Sequence, residues 1–348
     1  MSGSSPPMLS RLTRIVLVAF CLPHLLGAQD HPPLTISPRI EPAHTFEVRD
    51  AQAPPKRPFL RLVSYNIEWF PAGQRPNSKE HVQRQIDAVA AILRKIDPDI
   101  VATQETRNLG ALVALNNRMD RFFRFLASSH YREENTARVD EGIVQQETGL
   151  LSRLPWLFCE EIDFGAMPRG APTRGWLVAS FDIRGLAFTL YNGHTKSNFG
   201  ASDAGDRQRN YQNRLAAMLE LRRDWARRGI DPRTHRIIVL GDMNTDLFSN
   251  EFKDDHSLRA LMAWGFRHTW EGVPPDQRIT FPPREGESFQ GSTLDYIFLS
   301  EAWGPDIPRA RTLPEGTSGR RGVFGGDQPG IASDHYPVIL DLPFPPAP

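Results

Sequence analysis

The sequence predicts a mixed α/β domain, and three observations carry that reading. From Phe59 onward, short apolar runs of strand length alternate with stretches whose apolar residues recur at helical spacing. Some neighbouring strands are joined by tight turns and others by helices, so the sheet is not expected to be purely parallel. Hydrophobic residues make up 40% of the 348 residues and charged residues 24%, enough apolar material for a sizeable core.

Residues 60–67 read as a strand that carries Asn66 near its end. A helix follows, capped near Ser78, with Ile86, Val89, Leu93 and Ile96 on one face and Pro98 as its stop. A short buried strand over 99–103 leads to Gln104-Glu105, and residues 109–118 read as helical. Residues 149–152 form a further strand, and 176–183 with 187–192 form a hairpin-like pair around Arg184-Gly185. A long amphipathic helix spans 206–228, with Leu215, Met218, Leu219 and Leu221 among its apolar residues. Strands at 237–240, 293–299 and 336–340 complete the pattern, with a Gly- and Arg-rich loop over 311–332. There is no internal repeat.

Residues 1–28 read as a secretory signal peptide. Arg11 and Arg14 form a positive leading region, residues 15–26 an apolar run broken by Pro23 and His24, and Leu26-Gly27-Ala28 a small-residue cleavage site. The run is short for a bilayer span. The expectation is a secreted or periplasmic protein with no stable membrane insertion; the alternative is an uncleaved N-terminal anchor. Residues 29–58, proline-rich and without periodicity, read as a lead-in or linker, and 59–344 as the domain.

Cleavage after Ala28 would remove two arginines and no acids, so 41 basic and 41 acidic residues become 39 − 41 = −2. No polybasic grip for nucleic acid or membrane is present. That excludes little, because an enzyme that holds phosphate through a metal needs few lysines. Of two cysteines, Cys21 leaves with the signal and Cys159 stays alone, so neither a disulfide framework nor a cysteine zinc site is available. A monomer is expected.

One feature carries the chemistry. Asn66, Glu105, His194, Asp242 with Asn244, Asp295, and Asp334-His335 each sit at or near the end of an apolar strand. Singly, such residues are turn formers or satisfied polar groups. Six strand ends carrying them together mark a site at one edge of a sheet. Hard oxygen ligands of this kind favour Mg²⁺, Mn²⁺ or Ca²⁺ over structural zinc. Asp242-x-Asn244-x-Asp246 begins like a calcium-binding EF-hand loop, but Leu247 and Lys253 stand where glycine and glutamate are required.

These residues fall in motifs. Ser64-Tyr65-Asn66-Ile67, Gln104-Glu105-Thr106, Gly241-Asp242-Met243-Asn244, Leu294-Asp295-Tyr296-Ile297 and Ser333-Asp334-His335-Tyr336-Pro337-Val338 resemble, in order, the motif set of the endonuclease/exonuclease/phosphatase family. Residues 149–155 and His194-Thr195-Lys196-Ser197 resemble its intermediate motifs. The family includes pancreatic-type DNases, apurinic-site endonucleases, neutral sphingomyelinases and inositol-polyphosphate 5-phosphatases.

The resemblance implies a DNase I-like fold, a four-layered α/β sandwich of two packed mixed sheets flanked by helices. It implies Glu105 as the principal Mg²⁺ ligand, with Asn66 and Asp334 near the metal. Asp242 and Asn244 would orient water and phosphate, Asp295 would hold His335, and His194 and His335 would contact phosphate oxygens and share the proton work. Arg107 and Lys196 are candidate substrate contacts, with Asn244. Such a reaction depends on positioning and electrostatics, and a histidine fixed by a carboxylate contributes roughly 10²–10⁴-fold.

The expected function is that of a secreted, Mg²⁺-dependent endonuclease acting on DNA or RNA. The alternatives are a sphingomyelinase-like lipid phosphodiesterase, an inositol- or sugar-phosphate phosphatase drawing on Arg309, Arg311, Arg320 and Arg321, and an inactive binding protein.

Overall fold

The computed structural model describes residues 39–71, 78–131, 146–163, 174–198, 200–283, 288–314 and 332–345. The signal-peptide segment 1–28 lies outside the described residues, as does 315–331 of the Gly- and Arg-rich loop.

Two seven-stranded sheets pack face to face. The first contains β1 (Arg39–Pro42), β7 (Phe158–Asp163), β8 (Gly175–Ile183), β9 (Leu186–His194), β10 (Ile237–Asp242), β12 (Asp295–Ser300) and β11 (Phe266–His268), in that spatial order. The second runs β13 (Arg311–Thr312), β14 (Val338–Pro343), β3 (Phe59–Phe70), β4 (Ile100–Thr106), β6 (Glu147–Ser152), β5 (Phe125–Ser128) and β2 (His44–Glu47). Both sheets are mixed: β3 and β4 are parallel, as are β9 and β10, and the remaining pairs are antiparallel. This is the four-layered sandwich that the sequence motifs imply.

The layering follows from strand periodicity. In β3, Leu60 and Leu62 face the other sheet, whereas Val63, Tyr65 and Ile67 face the helices α1 (Lys79–Ile96) and α2 (Leu109–Arg118). Helices α3 (Ala204–Arg228) and α4 (Ser257–Ala263) cover the first sheet through Met218, Leu221, Trp225, Leu258 and Leu261. Strands buried on both faces read as continuous apolar runs, which is why residues 237–240 carry no alternation. Ser78 caps α1 by accepting from the His81 N–H at 3.2 Å, and Asp97 ends it in a left-handed conformation.

Residues 39–47 lie inside the expected lead-in, yet they form two strands. β1 pairs with β7 at the edge of one sheet, and β2 with β5 at the edge of the other. Edge strands bury few side chains and tolerate proline, so neither leaves a strong apolar pattern.

The two parallel pairs place the site. Each is a strand–helix–strand unit, β3-α1-β4 and β9-α3-β10, and the carboxyl ends of all four strands lie at one end of the sandwich. β12 and β14 run antiparallel to β10 and β3, so their starts lie at the same end. Asn66, Glu105, His194, Asp242 and Asp295 therefore meet, joined by Asp334 and His335 just ahead of β14.

Candidate active site

Asp242 lies directly between His194 on β9 and Asp295 on β12 in the sheet ladder. From the facing sheet, Asn66 Nδ2 donates to Asp242 Oδ2 at 2.9 Å and reaches Glu105 Oε1 at 3.2 Å. One amide thus ties Glu105 to Asp242 across the two sheets. Deeper in, Gln104 Nε2 donates to Asn192 Oδ1 at 2.7 Å, and Asn192 Nδ2 donates to the carbonyls of Thr103 and Gly149 at 3.0 and 2.9 Å. This buried polar latch fixes how the sheets meet immediately beneath the site.

The backbone beside Glu105 is strained. Glu68, Trp69 and Glu105 all adopt positive φ, at 42°, 48° and 59°. The curl aims the Trp69 N–H at Glu105 Oε2, 3.1 Å away, and the Glu68 N–H at Asn66 Oδ1, 3.0 Å away. Gly241, at φ +136°, solves a related problem: a Cβ there would lie 1.9 Å from the Gly193 carbonyl oxygen. Glycine lets β9 and β10 approach closely one residue before their functional side chains.

His335 Nδ1 sits 2.7 Å from Asp295 Oδ2, and its Nε2 faces Asp242 Oδ2 and Asp334 Oδ1, each at 3.9 Å. Burial acts to lower this imidazole, but the charge and hydrogen bond of Asp295, with Asp242 and Asp334, outweigh it and hold the ring well above the ordinary histidine range. His194 Nε2 lies 3.5 Å from Asp242 Oδ2 and 3.7 Å from Glu105 Oε1. Burial, with Arg174, His335 and Lys196, pulls His194 well below that range. The surroundings therefore drive the two imidazoles around one carboxylate apart, His194 toward the neutral form and His335 toward the charged form. Burial pushes Asp242 itself up to about 7, with Asp295 adding to the effect and His335 opposing it.

A metal would be held on the other side of Asn66. Burial and the Asp334 charge raise Glu105, and burial with Asp334 and Glu105 raises Glu68 well above the carboxylate range. Three carboxylates that penalise one another in this way are a hard-oxygen set that a divalent cation would relieve, and they fit Mg²⁺, Mn²⁺ or Ca²⁺. Among the described residues, Glu105, His194 and Asp242 bring ligand atoms within 4.8 Å of one another, as do Asp242, Asp295 and His335. In the second triad Asp295 engages His335 Nδ1 at 2.7 Å and favours the protonated ring, which has no lone pair for a metal.

Asn244 accepts no role far from this cluster: its N–H donates to Asp242 Oδ1 at 2.9 Å, and its side chain to the Thr195 carbonyl at 3.2 Å. Lys196 is near enough for its charge to act on His194. Arg107 follows β4 with its N–H on the Phe70 carbonyl, and its side chain joins none of the site's hydrogen bonds or ion pairs among the described residues. Two participants escaped the sequence reading. Glu68 lay in plain view two residues after Asn66. Arg174 gave no signal; it donates to the His194 carbonyl at 3.1 Å and to Gln146, and its charge reaches Glu105 and Asp242.

The model of the endonuclease/exonuclease/phosphatase family matches residues 63–335. The chain belongs to this family. Solved structures with the same fold include truncated TDP2 from Caenorhabditis elegans, 17% identical, covering 82% of this chain and 98% of that one with a TM-score of 0.53. D. rerio TDP2, complexed with single-strand DNA product, is 18% identical, covering 82% and 99% with a TM-score of 0.54. A mannosyl-6-phosphatase from Bacteroides thetaiotaomicron is 18% identical, covering 82% and 100% with a TM-score of 0.54. No curated protein matches by sequence. Members of the endonuclease/exonuclease/phosphatase family hydrolyse phosphoester bonds and are in general divalent-metal dependent. The residues that this chemistry needs converge at one end of the sandwich.

Proposed function

We propose that this chain is an exported, divalent-cation-dependent phosphodiesterase that cleaves nucleic acid, with Mg²⁺ as the working ion. The observation that carries the reading is the pair of imidazoles that flank Asp242 in opposing electrostatic surroundings, set beside the acidic pocket of Glu68, Glu105 and Asp334.

When bound there, the cation supplies charge to a phosphate oxygen as electrons move onto it. Asp242, oriented by Asn66 and the Asn244 N–H, takes the proton from the attacking water. The water oxygen bonds to phosphorus, the bond to the leaving oxygen breaks, and the leaving oxygen takes a proton from solvent while Asp242 returns its own proton to solvent for the next turnover. His335, held charged by Asp295, donates its Nε2–H to the phosphoryl group. His194, kept neutral, donates a hydrogen bond without adding a charge that would repel His335. Arg174 braces the His194 backbone.

A nucleic-acid substrate is supported by the TDP2 relative that carries a single-strand DNA product. The second reading, a sugar-phosphate phosphatase, is supported by the mannosyl-6-phosphatase relative, matched over its whole length. The basic loop proposed for such a pocket offers less: Arg311 is paired with Asp341 at 3.1 Å, and Arg320 and Arg321 lie outside the described residues.

Purified protein with Mg²⁺, offered plasmid DNA, RNA, sphingomyelin, phosphoinositides and sugar phosphates, decides between them. Nicking that leaves 5′-phosphate and 3′-hydroxyl ends, stops with EDTA and returns with Mg²⁺ or Mn²⁺ is expected. Full activity in EDTA would overturn the mechanism; intact DNA beside a cleaved sugar phosphate would overturn only the substrate. Export is tested by N-terminal sequencing from the native host, where a chain beginning near residue 29 is expected and an intracellular chain beginning at Met1 would refute it.

A further inference from the structure

Glu41 on β1 and Glu161 on β7 face each other directly across an antiparallel ladder. Like charges at opposed positions are unfavourable in a sheet, and here one of them is enclosed: the Glu161 side chain is 0% exposed. A third group enters from the other sheet. His130, two residues past the end of β5, brings Nδ1 to 3.1 Å from Glu161 Oε2 and Nε2 to 3.8 Å from Glu41 Oε2.

The contacts within this cluster leave it unfinished. Glu161 Oε2 accepts the His130 backbone N–H at 2.7 Å, but its Oε1 is buried with no hydrogen-bond partner. The His130 Nδ1 is also buried without one, so the 3.1 Å approach to Glu161 is not a hydrogen bond. An interior polar atom without a partner has lost its water and gained nothing in exchange. Burial pushes Glu161 up to about 7, and Asp163 and Glu41 add to it. The His130 ring is itself fixed, stacked on His44 with centroids 3.9 Å apart and planes 11° from parallel.

We propose that Glu41, His130 and Glu161 form a second divalent-cation site, separate from the catalytic cluster, which clasps the edge of one sheet to the edge of the other. The ligand atoms of the three residues lie within 4.8 Å of one another. Two ligands on one zinc-sized ion, at bond lengths of about 2.0–2.2 Å, stand about 3–4 Å apart. The Glu161–His130 distance already fits, and a rotation of the half-exposed Glu41 side chain closes the rest. Glu41 is meanwhile the ion-pair partner of Arg39, which the cation would share or replace. One imidazole with two carboxylates suits Zn²⁺ and neighbouring first-row ions rather than Mg²⁺ or Ca²⁺. β1 and β2 are consecutive, joined through Ala43, so the ion would pin the strand pair that crosses between the sheets.

The test is Zn²⁺ stoichiometry of the whole chain, stripped with chelator and dialysed before titration, with bound metal counted by atomic spectroscopy. Wild type is expected to bind one more Zn²⁺ per chain than His130→Ala or Glu161→Gln, and Zn²⁺ to raise its melting temperature further than theirs. Glu105→Gln should not remove this equivalent. His130 is partly exposed, so its alanine variant decides the matter even if Glu161→Gln does not fold. Equal Zn²⁺ stoichiometry in wild type and His130→Ala overturns the proposal.

Discussion

His335 and His194 flank the same carboxylate, yet their surroundings drive them apart. Asp295 accompanies one and, among the described residues, no acid hydrogen-bonds the other, so the first is driven toward the charged form and the second toward the neutral one. His335→Ala, His194→Ala and Asp242→Ala should each lower turnover by at least roughly a hundredfold without unfolding the protein. Because His335 and Asp295 act as a unit, the double change His335→Ala with Asp295→Ala should be little worse than His335→Ala alone. Steady-state rates with matched melting curves check this; wild-type rates in all three single variants would mean that the site is misplaced. The strand-end residues were legible because each borders an apolar run that marks the strand, following it as Asn66, Glu105, His194 and Asp242 do or opening it as Asp295 and His335 do. Arg174 was not, because it reaches the site through a carbonyl of another strand; Glu68, though two residues after Asn66, reaches it only through a left-handed backbone curl that no pattern marks.

Elements with strong internal periodicity were read nearly to the residue, as in α1 (Lys79–Ile96) with its cap at Ser78, while those defined only by their partners were missed. β1 and β2 belong to the second kind, as do β5, β7 and β11. The long helix α3 carries a device that no pattern shows. Arg214, fully buried, donates to Asp255 at 2.7 Å, grips the Lys196 carbonyl and reaches Asn198 Oδ1 at 3.3 Å. It anchors the segment that follows His194 to the helix behind it. Arg214→Ala strands a buried carboxylate and should destabilise the protein by about 3–5 kcal/mol. Denaturant unfolding measures it, and a loss under about 1 kcal/mol would show that the pair carries little.

At the scale of the whole molecule, buried acids dominate the response to pH. Asp242, Glu147 and Glu161 are each pushed up to about 7, chiefly by burial. The folded chain therefore binds protons that the unfolded chain releases nearer pH 4, and stability falls as pH rises from there to about 7. His335, also raised, acts in the same direction; His194, lowered, opposes it, its share being lost as pH falls through the histidine range. Chelator-treated protein should melt at higher temperature near pH 5.5 than at pH 8, and Mg²⁺ should raise the melting temperature most at pH 8, where its ligands are bare. A melting temperature in EDTA that is highest at pH 8 would contradict this.

The first and last strands of the domain core lie side by side. Ser333 donates to the Asn66 carbonyl at 2.6 Å across a separation of 267 residues, and β14 is zipped along β3. Asp334 and His335 are thus the last members of the site to leave the ribosome. A nascent chain grown at about 5–20 residues per second can bury most of both sheets and still lack the charged imidazole. Synthesis itself works as a safety catch: on the proposed mechanism, a truncated product ending before Asp334 lacks part of the site, however well it folds.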